Sequence, residues 1–250
     1  MEGYGPSSYG DRFADVYDDW YRGLSAVDTT VVALLGLAGR GSVLELGVGT
    51  GRLAIPLARA GVDRGITVSG IDSSAAMLDV MRTKPGAELV DARLGDMVDE
   101  MPDGPFEMVY VAYNTLFNLA ERDRQAGCFH AVADRLAPAG RFVVEAFVPD
   151  DPPRDGGAVT VRSMTADRVV LSVSIHDPAE QLAEGQFVEL TEAGGVRLRP
   201  WSIRYAPPAE LDAMAAAAGF QLEHRWLGFG DRDFREGDER HVSVWRARGE

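Results

Sequence analysis

Three glycines stand at alternate positions directly after a short apolar run that contains one acid. The segment Val43-Leu44-Glu45-Leu46 leads into a loop with Gly47, Gly49 and Gly51. A buried strand that turns through glycines into a helix brings backbone N–H groups against a ligand. The same pattern serves several nucleotide cofactors, and it also lets a strand and a helix pack closely. The loop by itself therefore indicates a cofactor-binding turn without identifying the cofactor.

Two further acids follow the next two predicted strands. Asp72 lies about 20 residues or slightly more past the loop, where a carboxylate can accept hydrogen bonds from both hydroxyls of an adenosine ribose. Asp96 follows the third strand, where it could accept the exocyclic amine of adenine while Met97 packs on the ring. Ligands of open α/β folds bind at the carboxyl edge of the sheet, where these acids and Glu45 would meet. The spacing therefore predicts an adenosine-binding edge.

Each acid also has a purely structural interpretation. Glu45 could be a buried acid satisfied by backbone amides, and Asp96 could be an ordinary turn residue. Asp72 could cap the next helix, or Ser73 or Ser74 could be the cap instead. Taken singly, each acid fits both interpretations. The spacing of all three against the strands favours a binding site.

Aromatic residues near the N-terminus repeat at helical spacing. Tyr9, Phe13, Tyr17 and Tyr21 would form one stripe on a helix, with Trp20 beside it. Such stripes usually pack in a core, but four aspartates are interleaved with this one, at positions 11, 15, 18 and 19. This mixture favours a lid helix over a central core helix.

The elements that position these residues alternate in the manner of a parallel sheet with crossover helices. The predicted strands are Ser42–Leu46, Ile66–Ile71, Glu88–Arg93, Phe106–Ala112 and Arg141–Phe147, and the predicted helices are Leu53–Ala60, Ala75–Arg82 and Arg122–Leu136. Pro138-Ala139-Gly140 is interpreted as a helix stop and turn. Residues 158–205 alternate polar and apolar with turns near 166–167 and 194–195, which predicts an antiparallel insertion. A helix at Ala209–Ala218, capped by Gly219, and strands at Phe220–Leu227 and His241–Arg246 would complete a seven-stranded sheet.

Composition narrows the classes of function. The 250 residues carry a formal charge of −14 with a single lysine, Lys84, which disfavours a nucleic-acid substrate. Cys128 is the only cysteine, so an internal disulfide is excluded. No targeting segment or membrane-length apolar run is visible, and we expect a cytoplasmic protein that does not insert into membranes. No His/Asp cluster has metal-ligand spacing, so no metal site is predicted.

Residues 42–147, together with the last helix and hairpin, resemble the class I S-adenosylmethionine (SAM)-dependent methyltransferases. The resemblance implies an α/β, Rossmann-like seven-stranded sheet with helices on both faces, an N-terminal lid (1–39), a SAM-binding unit (40–147 and 206–250) and an antiparallel β insertion after the fifth strand (148–205). It implies SAM as cofactor and S-adenosylhomocysteine as product. The implied cofactor contacts are Tyr17, Glu45, Gly47, Gly49, Gly51, Asp72, Ser73, Met77, Asp96, Met97 and Tyr113. Glu45 would face the amino group of SAM.

A NAD cofactor is disfavoured because the loop continues with Arg52 where the dinucleotide fingerprint has glycine. The sulfonium of SAM is cationic, so lid tyrosines have a chemical use against its methyl group. Tyr9 and Tyr17 are the candidates, with Phe117 shaping the opening towards the acceptor. Phe117 could instead anchor the following helix.

The N-terminal aromatic segment, the run Ala112-Tyr113-Asn114-Thr115-Leu116-Phe117-Asn118-Leu119 and the β insertion are most similar to actinobacterial lincosamide antibiotic N-methyltransferases. That resemblance implies methylation of a small-molecule amine, the ring nitrogen of a prolyl amide in an N-demethyl lincosamide. The candidate acceptor contacts are Tyr9, Trp20, Phe117, Asn118 and Trp201. The insertion would roof the acceptor, form a homo-oligomer interface, or both, and Trp201 could equally belong to that interface.

Four alternatives stay open from the sequence. They are O-methylation of another natural product, aminosugar N-methylation, peptide N-methylation, and an inactive SAM-fold binding module. No dedicated general base is visible among the four histidines. Positioning is therefore expected to supply most of the rate enhancement.

Overall fold

The computed structural model describes residues 1–23 and 26–247. Residues 24, 25 and 248–250, which fall within the predicted lid and SAM-binding segments, lie outside the described residues. The helices are α1 Ser8–Phe13, α2 Tyr17–Trp20, α3 Val27–Ala38, α4 Ala54–Gly61, α5 Ala75–Arg82, α6 Arg122–Ala133 and α7 Pro208–Ala217. The strands are β1 Ser42–Leu46, β2 Thr67–Asp72, β3 Val90–Leu94, β4 Phe106–Val111, β5 Leu136–Phe147, β6 Gly156–Met164, β7 Arg168–Asp177, β8 Leu182–Thr191, β9 Val196–Arg204, β10 Phe220–Trp226 and β11 Arg240–Ala247.

Seven strands form the main sheet in the order β10-β11-β5-β4-β1-β2-β3. The strands β1 to β5 pair in parallel, whereas β11 pairs antiparallel with both β5 and β10. The sequence therefore predicted the seven-stranded α/β sheet correctly. Because β1, β2, β3 and β4 are parallel, the loops after them share one edge of the sheet.

An apolar core lies on each face of the main sheet. The face covered by α6 and α7 contains Phe129, which packs edge-to-face against Phe142 at 5.1 Å and Trp245 at 5.4 Å between ring centroids. The opposite face includes buried residues of α3 and α4, among them Leu34 and Leu57. Helices on both faces bury the central strands β1 and β4 on both sides, as their apolar sequences indicate. The edge strands β3 and β10 keep exposed residues.

The other four strands form a separate antiparallel sheet, β6-β7-β8-β9, which confirms the predicted insertion. Register places Ala183, Phe187 and Trp201 on the face towards the main sheet, the inner face of the insertion. The side chains that alternate with these along each strand, such as Val173 and Val188, lie on the outer face. The turns at 165–167 and 192–195 were predicted, whereas the hairpin between β7 and β8 was not.

Three sequence predictions of local structure are wrong. The helix α6 ends at Ala133, and the predicted turn at 138–140 lies inside β5, which begins at Leu136. Ala139 adopts φ +63°, and the register with β4 shifts there, so the turn chemistry produces a bulge within the strand. The aromatic stripe also does not lie on one helix, because the chain breaks between α1 and α2. None of the described helices is long and apolar enough to cross a membrane.

Candidate cofactor and acceptor site

The glycine loop follows β1, and each of its glycines has positive φ. The φ values are +71°, +55° and +74° at Gly47, Gly49 and Gly51, a region that other residues rarely adopt. A Cβ at Gly47 would collide with Thr115, and one at Gly51 would lie 2.8 Å from Met81 Cγ. A Cβ at Gly49 would meet nothing closer than 3.9 Å. Two glycines therefore permit close packing, and Gly49 leaves space for a ligand beside the loop.

Asp72 at the end of β2 joins this loop to the next one. Its Oδ2 accepts from the Gly49 N–H at 2.8 Å, and its Oδ1 accepts from the Ser74 N–H at 2.9 Å. Burial raises the pKa of Asp72 and outweighs the lowering effect of those two hydrogen bonds, so the net pKa is raised. Ser74 is the helix cap, since its hydroxyl accepts from the Met77 N–H at 3.2 Å. Asp72 is thus held at the sheet edge in the position predicted for a ribose-binding acid.

Glu45 is a buried acid in β1, with only 4% of its surface exposed. Tyr110 Oη donates to Glu45 Oε2 at 2.7 Å. Burial raises the pKa of Glu45 to about 8, against the lowering effects of that hydrogen bond and of the Arg52 charge. The carboxyl group is therefore largely protonated at neutral pH and would ionise when a cation binds beside it.

Asp96 follows β3 and organises its own turn. Its Oδ1 accepts from the N–H groups of Val98 at 2.7 Å and Asp99 at 3.0 Å, and from Arg124 Nη2 at 2.6 Å. Burial raises its pKa, but these hydrogen bonds outweigh burial and the net pKa is lowered. Asp96 is therefore an ionised acceptor at the sheet edge, and Met97 next to it is partly buried.

The N-terminal segment is fastened onto the loop after β2. Ser73 Oγ donates to the Pro6 carbonyl at 3.0 Å, and Ser74 Oγ donates to Asp11 Oδ1 at 2.6 Å. A Cβ at Gly10 would collide with Ser74 and lie 3.1 Å from Met77 Cγ, so glycine allows α1 to sit directly on this loop. The first helix of the lid therefore closes over the carboxyl edge of the sheet.

The second lid helix is fastened to the glycine loop through Asp18. Thr50 Oγ1 donates to Asp18 Oδ1 at 2.7 Å, and Lys84 Nζ lies 2.6 Å from Asp18 Oδ2. Lys84 also donates to the Thr50 carbonyl at 2.8 Å. The one lysine of the chain therefore connects the lid to the glycine loop.

A buried arginine fastens the lid to the insertion. Arg199 in β9 is 3% exposed and donates to both carboxylate oxygens of Asp15, at 2.6 and 3.0 Å. It also donates to Glu189 Oε2 at 3.3 Å and to the Arg12 carbonyl. A buried guanidinium needs such partners because burying an unpaired charge is costly. This pairing fixes the lid between the two sheets.

The tyrosines predicted for the lid come together despite the break in the helix. Tyr9 stacks on Phe13 at 4.3 Å, and Tyr17 packs against Tyr21 at 4.7 Å between ring centroids. The hydroxyl oxygens of Tyr9 and Tyr21 are 2.9 Å apart. Tyr21 in turn meets Tyr113 edge-to-face at 5.6 Å. We call Tyr9, Tyr17, Tyr21 and Tyr113 the tyrosine cluster.

The chain after β4 is strained at two consecutive residues. Tyr113 and Asn114 adopt φ +56° and +66°, which is uncommon for residues with a side chain and often marks functional sites. Glu145 holds the first, accepting from the Tyr113 N–H at 2.9 Å. Asn114 Oδ1 accepts from the Phe147 N–H at 2.7 Å. Tyr113 contacts Tyr21 of the lid, and Arg52 Cζ, just after the glycine loop, lies 5.3 Å from the Tyr113 ring centroid.

The predicted acceptor residues are not all placed together. Phe117 is 0% exposed and packs edge-to-face on Phe147 at 5.2 Å, so it supports the wall from within the core and does not line an opening. Asn118 is partly exposed beside it. Trp20 packs on Phe187 at 5.7 Å, and Trp201 lies 6.3 Å from the same ring on the inner face. Phe187 therefore links the lid tryptophan to the tryptophan of the insertion.

Sequence reasoning missed several residues that shape this site. Arg162 stacks on the rings of Trp20 at 5.0 Å and Phe187 at 4.7 Å, at the point where the pairing of β6 with β7 shifts register. Neither Arg162 nor Arg199 stands in a recognisable motif, because each meets its partners only through tertiary packing. Glu145 could have been found, since an acid near the end of a buried strand follows the same rule as Asp72.

Comparison with known proteins matches this geometry to one family. Residues 43–140 match the family model described as "Methyltransferase domain". The chain is 32% identical over 200 residues to a demethylmenaquinone methyltransferase of Thermus thermophilus, covering 78% of this chain and 81% of the relative. It is 30% identical over 187 residues to a cypemycin N-terminal methyltransferase of Streptomyces sp., covering 72% and 73% respectively. The CcbJ methyltransferase structure from Streptomyces caelestis superposes with a TM-score of 0.88 at 39% identity, covering 98% of this chain and 99% of that one.

The chain belongs to the class I SAM-dependent methyltransferase family, and its cofactor is SAM. The residues fit this cofactor. The glycine loop leaves space for a ligand at Gly49, and the Asp72 carboxylate beside it can accept hydrogen bonds from hydroxyl groups. Glu45 supplies a buried carboxyl group that a cationic ligand would ionise. SAM supplies an electrophilic methyl group when bound.

Proposed function

We propose that this methyltransferase methylates an amine of a small-molecule antibiotic precursor. The observation that carries the proposal is the tyrosine cluster, which joins the lid to the strained turn after β4, with Arg52 beside the Tyr113 ring. Aromatic faces and phenol oxygens suit a chamber in which a cationic methyl donor meets a neutral amine. The similarity to a relative that is named for N-terminal methylation supports an amine acceptor.

The reaction requires positioning more than charge stabilisation. The amine lone pair forms the new N–C bond as the methyl C–S bond breaks, and the N–H proton leaves the resulting ammonium. Burial raises the pKa of Tyr9 and of Tyr17 well above that of a free phenol, so both stay neutral at physiological pH. They therefore orient the reactants by packing and hydrogen bonding, and water takes the proton.

Within this class, we propose the prolyl ring nitrogen of an N-demethyl lincosamide as the acceptor. The lid segment and the run from Ala112 to Leu119 support it through their resemblance to lincosamide N-methyltransferases. The chain is similar to the CcbJ methyltransferase over nearly the whole of both chains. Both the insertion and the lid lie within the aligned length.

Labelled SAM and a panel of acceptors test this proposal. The panel contains N-demethyllincomycin, an aminosugar, a peptide with a free N-terminus, a catechol and demethylmenaquinone. We expect label on N-demethyllincomycin and none on the catechol. Label on demethylmenaquinone alone would replace the proposal with quinone methylation, the second candidate, which the 32% identity to the Thermus relative favours. SAM binding without transfer to any acceptor would indicate a binding module.

We further propose that the outer face of the insertion binds a second copy of this chain. The face exposes seven large apolar side chains, Val159, Val161, Met164, Ile175, Leu190, Val196 and Leu198. From their exposed fractions they present roughly 700 Å² of apolar surface, more than monomers usually expose and near the ~800 Å² that one partner buries in a stable interface. A two-fold axis through this sheet would make the surface self-complementary.

A further inference from the structure

A cavity of about 220 Å³ lies between the inner face of the insertion and the end of β5. Its walls are largely apolar, formed by Phe147, Val148, Pro149, Pro153, Ala183 and Ile203. Asp150 and Arg154 also line it, with 3.3 Å between Asp150 Oδ2 and Arg154 Nε. This volume is enough for one ring with a short substituent.

Two aromatic residues of this cavity have buried polar atoms without a hydrogen bond. Tyr205 is 6% exposed and lines the cavity, and its Oη has no partner among residues 1–23 and 26–247. Trp201 Nε1 is also buried and unpaired within this described part. Native proteins pair more than nine in ten such groups, so two unpaired groups at one cavity call for a partner. A ligand that carries a hydrogen-bond acceptor would supply one.

The backbone is arranged to place Trp201 there. Trp201 is opposite Gly185 in the pairing of β8 with β9. A Cβ at Gly185 would lie 2.6 Å from Cζ2 of the indole, so only glycine lets the ring lie flat across β8. The flat indole forms one side of the cavity and reaches Phe187 at 6.3 Å.

The cavity adjoins the strained turn at the methyl-donor site. Phe147 lines the cavity, and its N–H donates to Asn114 Oδ1 at 2.7 Å. The Phe147 ring lies 6.4 Å from the ring of Tyr205. The cavity therefore begins one hydrogen bond away from the Tyr113–Asn114 turn.

We propose that this cavity, which we call the distal pocket, binds the part of the acceptor furthest from the methylated amine. The inference rests on the proposed function. The ligand class is a prolyl amide whose amide nitrogen carries a ring with an oxygen substituent. The Tyr205 hydroxyl donates to that oxygen, and the apolar walls receive the ring.

Three prolyl amides test the distal pocket: L-prolinamide, L-proline anilide and L-proline 4-methoxyanilide. The first lacks a ring, the second adds the ring, and the third adds the oxygen. Methyl transfer is measured for the unaltered protein, for Tyr205→Phe, and for Ala183→Leu, which fills the pocket. Tyr4→Phe is the matched control, because Tyr4 does not line the cavity.

We expect kcat/KM to rise from the amide to the anilide to the methoxyanilide. Tyr205→Phe should remove about threefold to tenfold from the methoxyanilide alone, the worth of one neutral hydrogen bond. Ala183→Leu should remove the advantage of both anilides. Equal kcat/KM for all three amides, or equal effects of Tyr205→Phe and Tyr4→Phe, would overturn the distal pocket and leave the proposed function intact.

Binding separates the two proposals if no amide accepts a methyl group. That result contradicts a prolyl amine as acceptor, and the pocket is then judged by saturation-transfer NMR of the two anilides with S-adenosylhomocysteine present. Binding that Ala183→Leu abolishes and Tyr4→Phe retains supports the distal pocket. Binding that Ala183→Leu leaves unchanged, or no binding at all, overturns it.

Discussion

Replacing Glu45 with glutamine should stabilise the SAM-free protein at alkaline pH. The Glu45 carboxyl group is buried, and its pKa is about 8 instead of its ordinary 4.5. A pKa raised by folding contributes stability that is fully present below pH 4.5 and lost as the pH rises through 8. A glutamine side chain keeps an oxygen that can accept from Tyr110 and carries no charge at any pH. The variant should therefore escape this loss.

The pKa values give the magnitude. At pH 5 the raised pKa costs the native protein less than about 1 kcal/mol, whereas at pH 9 it costs roughly 5 kcal/mol. The stability difference between Glu45→Gln and the unaltered protein should therefore grow by roughly 4 kcal/mol over this range. Other groups that titrate contribute equally to both proteins, so they cancel in the difference.

Urea denaturation of the SAM-free protein at pH 5, 7 and 9 measures this difference. Glu88→Gln is the control, because Glu88 is exposed and should show no pH-dependent gain. A difference that stays below 1 kcal/mol at pH 9 would refute the buried, protonated state of Glu45.

Glu45→Gln should weaken SAM binding, although it stabilises the SAM-free protein. The amino group of SAM is cationic, and a cation beside Glu45 favours its ionised form. Titration calorimetry should show that the affinity of the unaltered protein for SAM rises between pH 6 and pH 8. The Glu45→Gln variant should bind more weakly and without this slope. A variant that is more stable and also binds SAM as tightly as the unaltered protein would contradict the assignment of Glu45 to the cofactor.

Three further predictions concern the lid, the core and the outer face of the insertion. Arg199→Met should lower the free energy of unfolding by about 3 kcal/mol and weaken SAM binding, because Glu189 and Asp15 lose their buried partner. Urea denaturation and calorimetry measure the two effects. Unchanged SAM affinity would contradict the closure of the lid over the cofactor site. Phe117→Ala should cost about 3–5 kcal/mol of stability, because Phe117 is fully buried. Tyr17→Phe should slow single-turnover methyl transfer without a stability change of that size. Slow transfer with unchanged stability in Phe117→Ala would instead place Phe117 at the reacting centre. Val161→Lys should shift the mass measured by light scattering from dimer to monomer; an unaltered protein that is monomeric at micromolar concentration would contradict the interface.

Sequence reasoning was most successful where chemistry follows a strand directly. The loop after β1 and the acids after β2 and β3 had to meet because parallel strands share one carboxyl edge. Strand β1 and helix α5 were predicted to the residue, since their apolar periods and their flanking loop or cap are local signals. The resemblance to methyltransferases added the cofactor, which the glycine loop by itself did not identify.

Local signals failed where a long-range contact overrides them. Pro138-Ala139-Gly140 has the composition of a turn, yet pairing with β4 draws it into β5 as a bulge. The aromatic repeat at the N-terminus fits one helix, but the chain breaks after Phe13 and returns the Tyr21 hydroxyl to that of Tyr9. In both cases the pattern specified which side chains were buried without specifying the path of the backbone.

The sequence by itself determined the α/β sheet, the β insertion and the cofactor edge. Each of these follows from periodicity and from residues close together in the chain. Only the tertiary structure decided what surrounds the acceptor, because Arg199 reaches Asp15 across 184 positions and Trp201 lies flat only because Gly185 is opposite it on the next strand. It also moved Phe117 into the core, since packing against Phe147 satisfies that ring away from any opening. Donor binding depends on local geometry, whereas acceptor specificity depends on contacts between segments far apart in the chain.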